Sequence, residues 1–220
     1  MQPLQHSNLN QTVYMTLCNQ LMRGDYPAGH VLNINDLAQG FGTSVMPVRE
    51  AMRQLVAQRA LEPMKSRSMR IPEFSRERLQ DIRRVRVLLE GTATEWATHT
   101  MQAAEIEDVE HIAAKLARLL QHPEDLVAGL DANQQFHFGI YRAARSPSML
   151  ALIESLWLQS GPYLRASREL MHSDERPAEE FHAAIVAAIK KRDAKAARKI
   201  MVQDIAWPFD QLLGAPALFT

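Results

Sequence analysis

The chain has 220 residues, of which 46% are hydrophobic and 23% are charged, proportions that exclude a disordered or fibrous protein. Its 25 Lys and Arg residues balance its 25 Asp and Glu residues, so net charge argues neither for nor against an anionic partner. The single cysteine, the absence of an apolar run of roughly 20 residues and an N-terminus unlike a signal peptide predict a reduced, cytoplasmic protein without a membrane partner.

The first helix is predicted by apolar residues at helical spacing from about Asn10 onward. It ends in the turn-forming run of residues 24–29, which contains two glycines and a proline. Asn33 is a predicted N-cap, because an acidic residue follows it at the third position of a short helix. Gly40 and Gly42 end that helix and predict a tight turn.

A longer helix follows at residues 45–59, with Ser44 as its predicted N-cap. Two short β-like segments, residues 60–64 and 69–72, then flank a short basic run. This order of helix, short helix, tight turn, helix and basic hairpin is typical of a winged helix-turn-helix. The first part of the chain, residues 1–72, is therefore predicted to be a winged helix-turn-helix domain.

Basic residues are concentrated in this first domain. Residues 1–72 contain seven Lys and Arg against four Asp and Glu, a net charge of +3 that the rest of the chain cancels. Within residues 45–70 the balance is six basic to two acidic residues. Such a segment in a neutral protein indicates a local surface for a polyanion, with an ordinary solvated face as the alternative.

Four short runs in this domain resemble the N-terminal domain of the GntR family of transcription regulators. They are Arg-Gly-Asp-Tyr-Pro-Ala-Gly at 23–29, Asp-Leu-Ala at 36–38, Gly-Thr-Ser at 42–44 and Pro-Val-Arg-Glu-Ala at 47–51. Val45 departs from the family pattern, which usually has Arg there, and Ser68 aligns with a glycine at the tip of the wing. Since both positions commonly approach DNA in the family, the affinity or the operator sequence is expected to differ from the family norm.

The resemblance implies binding to double-stranded DNA, with the helix after Ser44 in the major groove. Residues near the N-terminus of such a helix reach base edges, so Arg49 is the candidate for a contact with a base or an adjacent phosphate. Thr43 and Ser44 are candidates for hydrogen bonds to phosphate. The residues expected to neutralise backbone charge are Arg53, Lys65, Arg67 and Arg70. A helix-turn-helix that reads a palindromic operator works as a dimer, and we expect a homodimer.

Six amphipathic helices without an intervening strand are predicted after residue 72. Ser75 is the predicted cap of the first, and the prolines at 123 and 147 suit the starts of the third and the fourth. The predicted spans are about 75–101, 105–121, 123–144, 147–167, 177–191 and 194–207. The chain is thus predicted to be mainly α, with an all-α helical bundle in residues 73–220.

The bundle resembles the FCD domain, which binds effectors in the FadR subfamily of GntR regulators. The runs that carry this resemblance are Arg-Val-Leu-Leu-Glu at 86–90, Phe-His at 136–137, Glu-Phe-His-Ala-Ala-Ile at 180–185 and Arg-Asp-Ala at 192–194. Together with the first domain, the resemblance covers about residues 10–206. It implies that the bundle binds a small effector, often an organic acid, and holds the homodimer together.

Polar side chains on otherwise apolar helix faces suggest a site inside the bundle. Asn133 and His137 stand four residues apart, between apolar residues of the third bundle helix. His182 lies eleven residues before Asp193 and Asp204 lies eleven after it, so a chain reversal at Asp193 would bring both side chains to the same level. Two imidazoles, a carboxylate and an amide oxygen suit a divalent transition metal such as zinc or nickel.

The FCD resemblance implies a metal site at the same four positions, where many family members have one Asp and three His. His137 and His182 match that pattern, whereas Asn133 replaces the Asp and Asp204 replaces a His. These replacements keep one carboxylate and remove one imidazole. The alternative to a metal site is that His137 and His182 are core residues whose ring nitrogens form hydrogen bonds with neighbouring groups.

Arg86 matches an arginine that often faces the FCD cavity, and the resemblance implies that it binds an effector carboxylate bidentately. A salt bridge with Glu90, one turn later on the helix surface, is the alternative. Trp96 and Trp157 lie on apolar stripes of their helices, and we expect both in the core.

These features favour a DNA-binding transcription regulator controlled by a small ligand. A metal-dependent enzyme built on His137, His182 and Asp204 is a rival, but the chain lacks an HExxH pair, a glycine-rich phosphate loop and a nucleophile elbow. Such an enzyme would also leave the basic first domain without a role, and we do not expect an enzyme. A helical scaffold without DNA binding is the third interpretation, which a gel-shift assay would separate from the first.

Overall fold

The computed structural model describes residues 5–65, 68–120, 122–170 and 178–219. Within those ranges the chain is mainly helical, with nine α-helices and one small three-stranded sheet. The order of these elements confirms a winged helix-turn-helix followed by a helical bundle. Among the described helices, none has both the length and the apolar character needed to cross a membrane.

The N-terminal part is built from three helices and three short strands. Their bounds are α1 Gln5–Met22, β1 Val31–Asn33, α2 Ile34–Gly40, α3 Val45–Ala57, β2 Glu62–Pro63 and β3 Ser68–Arg70. The Asn33 side chain accepts hydrogen bonds from the backbone N–H groups of Asn35 and Asp36, which fixes the start of α2 where the sequence predicted it. Gly42 has a φ of +61°, which favours glycine and permits the tight turn between α2 and α3.

The sheet contains a strand that the sequence patterns did not indicate. Its order is β1-β3-β2, with antiparallel pairing throughout and Leu32 opposite Met69. β1 has three residues and ends at the N-cap of α2, so it is too short to show an alternating pattern. The pairing also corrects the position of Ser68, which is buried in β3 opposite Asn33 and does not lie at the tip of the wing.

The C-terminal part contains the six predicted helices. Their bounds are α4 Arg76–Thr100, α5 Ala103–Leu120, α6 Leu126–Ala143, α7 Pro147–Leu170, α8 Ala178–Lys190 and α9 Ala194–Leu213, with 3₁₀ turns at Pro123–Asp125 and Pro216–Phe219. Ser75 caps α4 by accepting a hydrogen bond from the N–H of Arg78. α9 packs along α4 and α8, and α6 and α7 also pack on α4, so these five helices surround a common interior.

Two expectations about this bundle are wrong. α9 continues through Pro208 to Leu213, because the buried side chains of Phe209 and Leu212 hold the last turn against the core and offset the hydrogen bond that a proline removes. Trp96 is 43% exposed, since α6, α7 and α9 pack on other faces of α4. Trp157, by contrast, is buried as expected.

α1 connects the two parts of the molecule. It packs against α3 in the N-terminal part and against α7 in the bundle. At its C-terminal end, the Nη1 atom of Arg23 lies 3.7 Å from a carboxylate oxygen of Asp131 in α6. Gln134 of the same helix donates a hydrogen bond to the Sδ atom of Met22 at 3.3 Å. The end of α1 is therefore held by two helices of the bundle.

Candidate functional site

A cluster of two histidines and one aspartate lies inside the bundle. His137 comes from α6, His182 from α8 and Asp204 from α9, and all three side chains are buried. The Nε2 atoms of His137 and His182 lie 3.3 and 3.4 Å from the two carboxylate oxygens of Asp204. One ligand atom of each residue lies within 4.8 Å of the other two. The three donors are thus close enough to surround a single ion.

The turn between α8 and α9 explains how two of these residues meet. Arg192 has a φ of +57° in this turn, and Asp193 caps α9 by accepting a hydrogen bond from the N–H of Ala196. The two helices then run side by side in opposite directions. His182 and Asp204, which are equally far from Asp193 in the sequence, therefore reach the same level, as their spacing predicted.

Asn133 lies one turn before His137 on α6 and lines the same cleft as His137 and Asp204. Its side chain is partly exposed, whereas the other three positions predicted for metal binding are buried. His182 joins this group through its contact with Asp204. The structure therefore brings all four predicted residues to one region of the bundle.

Burial and neighbouring charge set the protonation of the cluster. Burial lowers the pKa of His137 to about 4, so its ring is neutral near pH 7. Burial opposes the ionisation of Asp204, but the adjacent rings of His182 and His137 outweigh that effect and lower its pKa. A neutral imidazole and an ionised carboxylate are the forms that bind metal ions.

His182 provides a test of whether the cluster fits a metal. Neither of its ring nitrogens makes a well-formed hydrogen bond among the residues that the structure describes, although the side chain is buried and Nε2 lies 3.4 Å from Asp204. A buried polar group without a partner costs about 1–3 kcal/mol, and ligation of a cation by one of these nitrogens would offset that cost. The donor set therefore fits a divalent transition metal bound by two imidazoles and a carboxylate.

Glu90 is the centre of a second buried network, which adjoins the cluster. Its carboxylate accepts hydrogen bonds from Arg86 Nε at 2.5 Å and Nη2 at 3.1 Å, from the Tyr141 hydroxyl at 2.5 Å and from Trp157 Nε1 at 3.0 Å. The salt bridge between Arg86 and Glu90 is present, but it is buried and not on the helix surface. Aromatic rings cover it, since the guanidinium lies 4.6 Å from the centre of the Trp157 ring.

Tyr141 links this network to the cluster and was not identified from the sequence. Its hydroxyl donates to Glu90 and lies 3.1 Å from Nδ1 of His137. Because the hydroxyl proton is used toward Glu90, His137 must donate from Nδ1, which leaves the Nε2 lone pair directed to the cluster. The sequence pattern that could have identified Tyr141 is the four-residue spacing on α6 of three polar residues, Asn133, His137 and Tyr141.

Arg86 offers the cleft one nitrogen instead of the two that bidentate binding requires. Nε and Nη2 are already bonded to Glu90, and Nη1 has no partner within the described ranges. Since Arg86 lines the cleft, Nη1 is a buried donor for a single oxygen atom. The other walls are largely apolar and come from three helices, with Leu164 in α7, Phe181 in α8 and Trp207 in α9.

The residues expected to contact DNA on α3 lie on its outer side. Arg49 is partly exposed and Arg53 is exposed, one turn later on the same helix. Ser44 is the N-cap of α3 and is exposed, but its side chain makes no capping hydrogen bond. Thr43 is partly buried. α3 thus carries two guanidinium groups one turn apart on its outer side, and a hydroxyl is exposed at its N-cap.

The basic residues of the wing differ in their exposure and in their pairing with acidic residues. Lys65 is exposed after β2, whereas Arg70 in β3 already pairs with Glu62 at 3.1 Å and with Glu73 at 3.6 Å. Arg67 lies outside the described residues. Arg70 is therefore partly neutralised within the protein, which the sequence spacing did not reveal.

Each of the two parts of the chain matches a known protein family. Residues 9–71 match the bacterial regulatory proteins of the gntR family, and residues 81–206 match the FCD domain. The chain belongs to the GntR family. Its C-terminal part is an FCD domain, a type of domain that often binds metals in this family.

Full-length relatives and solved structures agree with this assignment. The HTH-type transcriptional regulator McbR of Escherichia coli (strain K12) is 30% identical over 214 residues, which cover 94% of this chain and 96% of McbR. The HTH-type transcriptional repressor GlaR of the same strain is 26% identical over 212 residues, covering 89% and 91%. The structure of E. coli McbR/YncC aligns with a TM-score of 0.84 at 28% identity, over 93% of this chain and 98% of that one. The protein is a DNA-binding transcription regulator with an effector-binding domain, and not an enzyme.

A putative GntR transcriptional regulator from Rhodococcus sp. RHA1 shares the fold at 18% identity, with a TM-score of 0.76. The alignment covers 94% of this chain and 98% of that one. At this identity the similarity concerns the architecture alone. It shows that the arrangement of winged helix-turn-helix and bundle extends to a second solved structure.

Proposed function

We propose that residues 1–72 form the DNA-binding unit and that α3 lies in the major groove of a palindromic operator. Arg49 would contact a base edge or an adjacent phosphate, and Thr43 and Ser44 would contact phosphate. The residues that would neutralise backbone charge are Arg53, Lys65, Arg67 and Arg70. The observation that carries this proposal is the outer side of α3, where Arg49 is partly exposed and Arg53 is exposed one turn later, with Ser44 exposed at the N-cap.

The bundle, residues 73–220, is proposed to hold two copies together and to bind a small organic-acid effector in the cleft. One carboxylate oxygen of the effector would accept a hydrogen bond from Nη1 of Arg86, the donor that Glu90 leaves free. The remainder of the effector would lie against the apolar walls formed by Leu164, Phe181 and Trp207. Binding regulates the operator affinity only if the effector favours one arrangement of the DNA-binding units over another.

His137, His182 and Asp204 are proposed to hold a zinc or nickel ion, with Asn133 as the fourth and weakest ligand. Such an ion would supply positive charge beside the cleft that Asn133, His137 and Asp204 line. The chain's own contribution is the orientation of the ligands. Tyr141 and Glu90 fix the ring of His137, and the turn at Asp193 fixes the level of His182 relative to Asp204.

DNA binding is tested by selecting duplexes from a randomised pool with the full-length protein and measuring their affinity by gel shift. We expect selection of a palindromic sequence whose affinity falls as salt rises, because phosphate contacts release counterions. Sedimentation of the complex should give two chains for each duplex. A protein that selects no sequence from the pool would support a scaffold without specific DNA binding.

Effector binding is tested by a thermal-shift screen of small carboxylates. Removing Arg86 alone would leave the charge of Glu90 buried without a cation, so the informative variant removes both charges, as Arg86→Met with Glu90→Gln, which keeps an acceptor for Tyr141 and Trp157. We expect this double variant to fold and to lose the shift that a carboxylate causes in the wild-type protein. An equal shift in both proteins would remove Arg86 from the effector site.

A further inference from the structure

Met46, the second residue of α3, has an apolar side chain on the solvent-exposed side of this amphipathic helix. It is 60% exposed, whereas Val48, Met52 and Leu55 of the same helix are buried in the core. Val45 also packs against the core from its partly buried position. Met46 therefore does not serve the packing of α3 against the rest of the protein.

The position of Met46 distinguishes it from an ordinary exposed apolar residue. It lies in the first turn of the helix that enters the major groove under the proposed function, where side chains reach base edges. Its Sδ atom is 3.9 Å from Nη1 of Arg49, so the thioether and the guanidinium lie together on one surface. The start of α3 thus presents an apolar group beside a hydrogen-bond donor.

We propose that Met46 determines operator specificity by contacting the C5-methyl group of a thymine in the major groove, an inference that rests on the proposed binding of DNA by α3. The methyl group is the apolar feature that distinguishes thymine from the other bases in that groove. An unbranched thioether with three rotatable bonds adapts its shape to such a contact. Arg49 would hydrogen-bond to an acceptor of a neighbouring base or phosphate.

The experiment uses the duplex that the wild-type protein selects from a randomised pool. Each thymine in turn is replaced by uracil, which keeps every hydrogen-bonding group and removes only the methyl group. We expect one thymine in each half-site to be sensitive, with an affinity loss of about fourfold for a single lost methyl contact. In Met46→Ala the same replacement should leave the affinity unchanged, because the contact is already lost.

Met15→Ala is the matched control, because Met15 is a methionine on α1 that is 54% exposed. This variant should show the same uracil profile as the wild-type protein, that is, the same affinity loss at each thymine replaced by uracil. Equal uracil profiles in the wild-type protein and in Met46→Ala would overturn the inference while leaving DNA binding by α3 in place. A selected half-site without thymine would also overturn it. Failure of the wild-type protein to select any duplex would instead overturn the proposed function together with this inference.

Discussion

Gly24 and Gly161 pack backbone against backbone where the end of α1 meets α7. A Cβ atom at Gly161 would lie 1.7 Å from the carbonyl oxygen of Leu21, and one at Gly24 would lie 2.5 Å from the carbonyl oxygen of Gly161. Arg165, one turn later on α7, donates a hydrogen bond to the carbonyl oxygen of Gly24 at 3.2 Å. Arg168 on the next turn lines the cleft. The DNA-binding part therefore contacts a helix of the cleft wall directly.

Replacing Gly161 by alanine is expected to lower the free energy of unfolding by about 1–3 kcal/mol, the usual cost of overpacking. The new methyl group would meet backbone atoms of α1, which cannot rotate away as a flexible side chain would. Thermal unfolding and hydrogen exchange of the α1 amides measure the effect. Gly40→Ala is the control, because nothing lies near a Cβ atom at that position. Wild-type stability and α1 protection in Gly161→Ala would contradict the close contact.

Glu90→Ala is expected to destabilise the protein by about 3–5 kcal/mol, since it leaves the buried charge of Arg86 without a partner. Tyr141 and Trp157 lose their acceptor in the same variant. Glu95→Ala on the same helix is the control, because its pair with Arg198 is partly exposed and should contribute less than about 1 kcal/mol. Chemical denaturation of both variants checks the difference, and similar losses would argue against a buried pair.

The helices and the meeting of His182 with Asp204 were predictable because both depend on local geometry. Helix caps at Asn33 and Ser75 follow from side-chain chemistry within three residues. The chain reverses at Asp193, and both flanking helices have the same rise per residue. His182 and Asp204 are each eleven residues from Asp193 and therefore lie at the same distance from the turn along the two helices. β1 was missed because its three residues are defined by pairing with a strand far along the chain.

The burial of Glu90 could not be predicted from its own helix. A Glu four residues after an Arg is typical of exposed helix surfaces, and only the packing of α6 and α7 over α4 places aromatic partners around it. The exposure of Trp96 has the same origin, because an apolar stripe does not show which neighbour covers it. Pro208 stays within α9 for reasons of tertiary packing that its local sequence does not contain.

Removal of one imidazole from the cluster is expected to abolish metal binding. Wild-type protein supplied with zinc or nickel should retain one ion per chain by elemental analysis, and His182→Ala should retain none. A ligand present at 100 times its Kd stabilises the folded state by about 2.7 kcal/mol, so a chelator should lower the melting temperature of the wild-type protein and not that of His182→Ala. His111→Ala, an exposed histidine of α5, serves as the control. A wild-type protein without metal after supplementation would refute the site.

Tyr14 is expected to make the protein sensitive to alkali. Burial and a hydrogen bond with Cys18 raise its pKa to about 12 in the folded state, from the ordinary tyrosine value of 10.0. The fold favours the protonated hydroxyl, so its contribution to stability is complete below pH 10 and is lost as the pH rises from 10 to 12. The free energy of unfolding of the wild-type protein should therefore fall more steeply over that interval than that of Tyr14→Phe. Parallel pH profiles would show that other groups control alkaline unfolding.

The arginines of the DNA-binding part are expected to differ in their effects on operator affinity. Arg49→Ala should remove sequence selectivity, because this residue lies where base edges are read. Arg53→Ala should weaken all sequences and lower the salt slope of log Kd by about 1, as expected for one lost phosphate contact. Arg70→Ala should change that slope less, because Glu62 and Glu73 already partly neutralise Arg70. Gel shifts at several salt concentrations separate these outcomes, and equal slopes for Arg53→Ala and Arg70→Ala would show that both ion pairs open on binding.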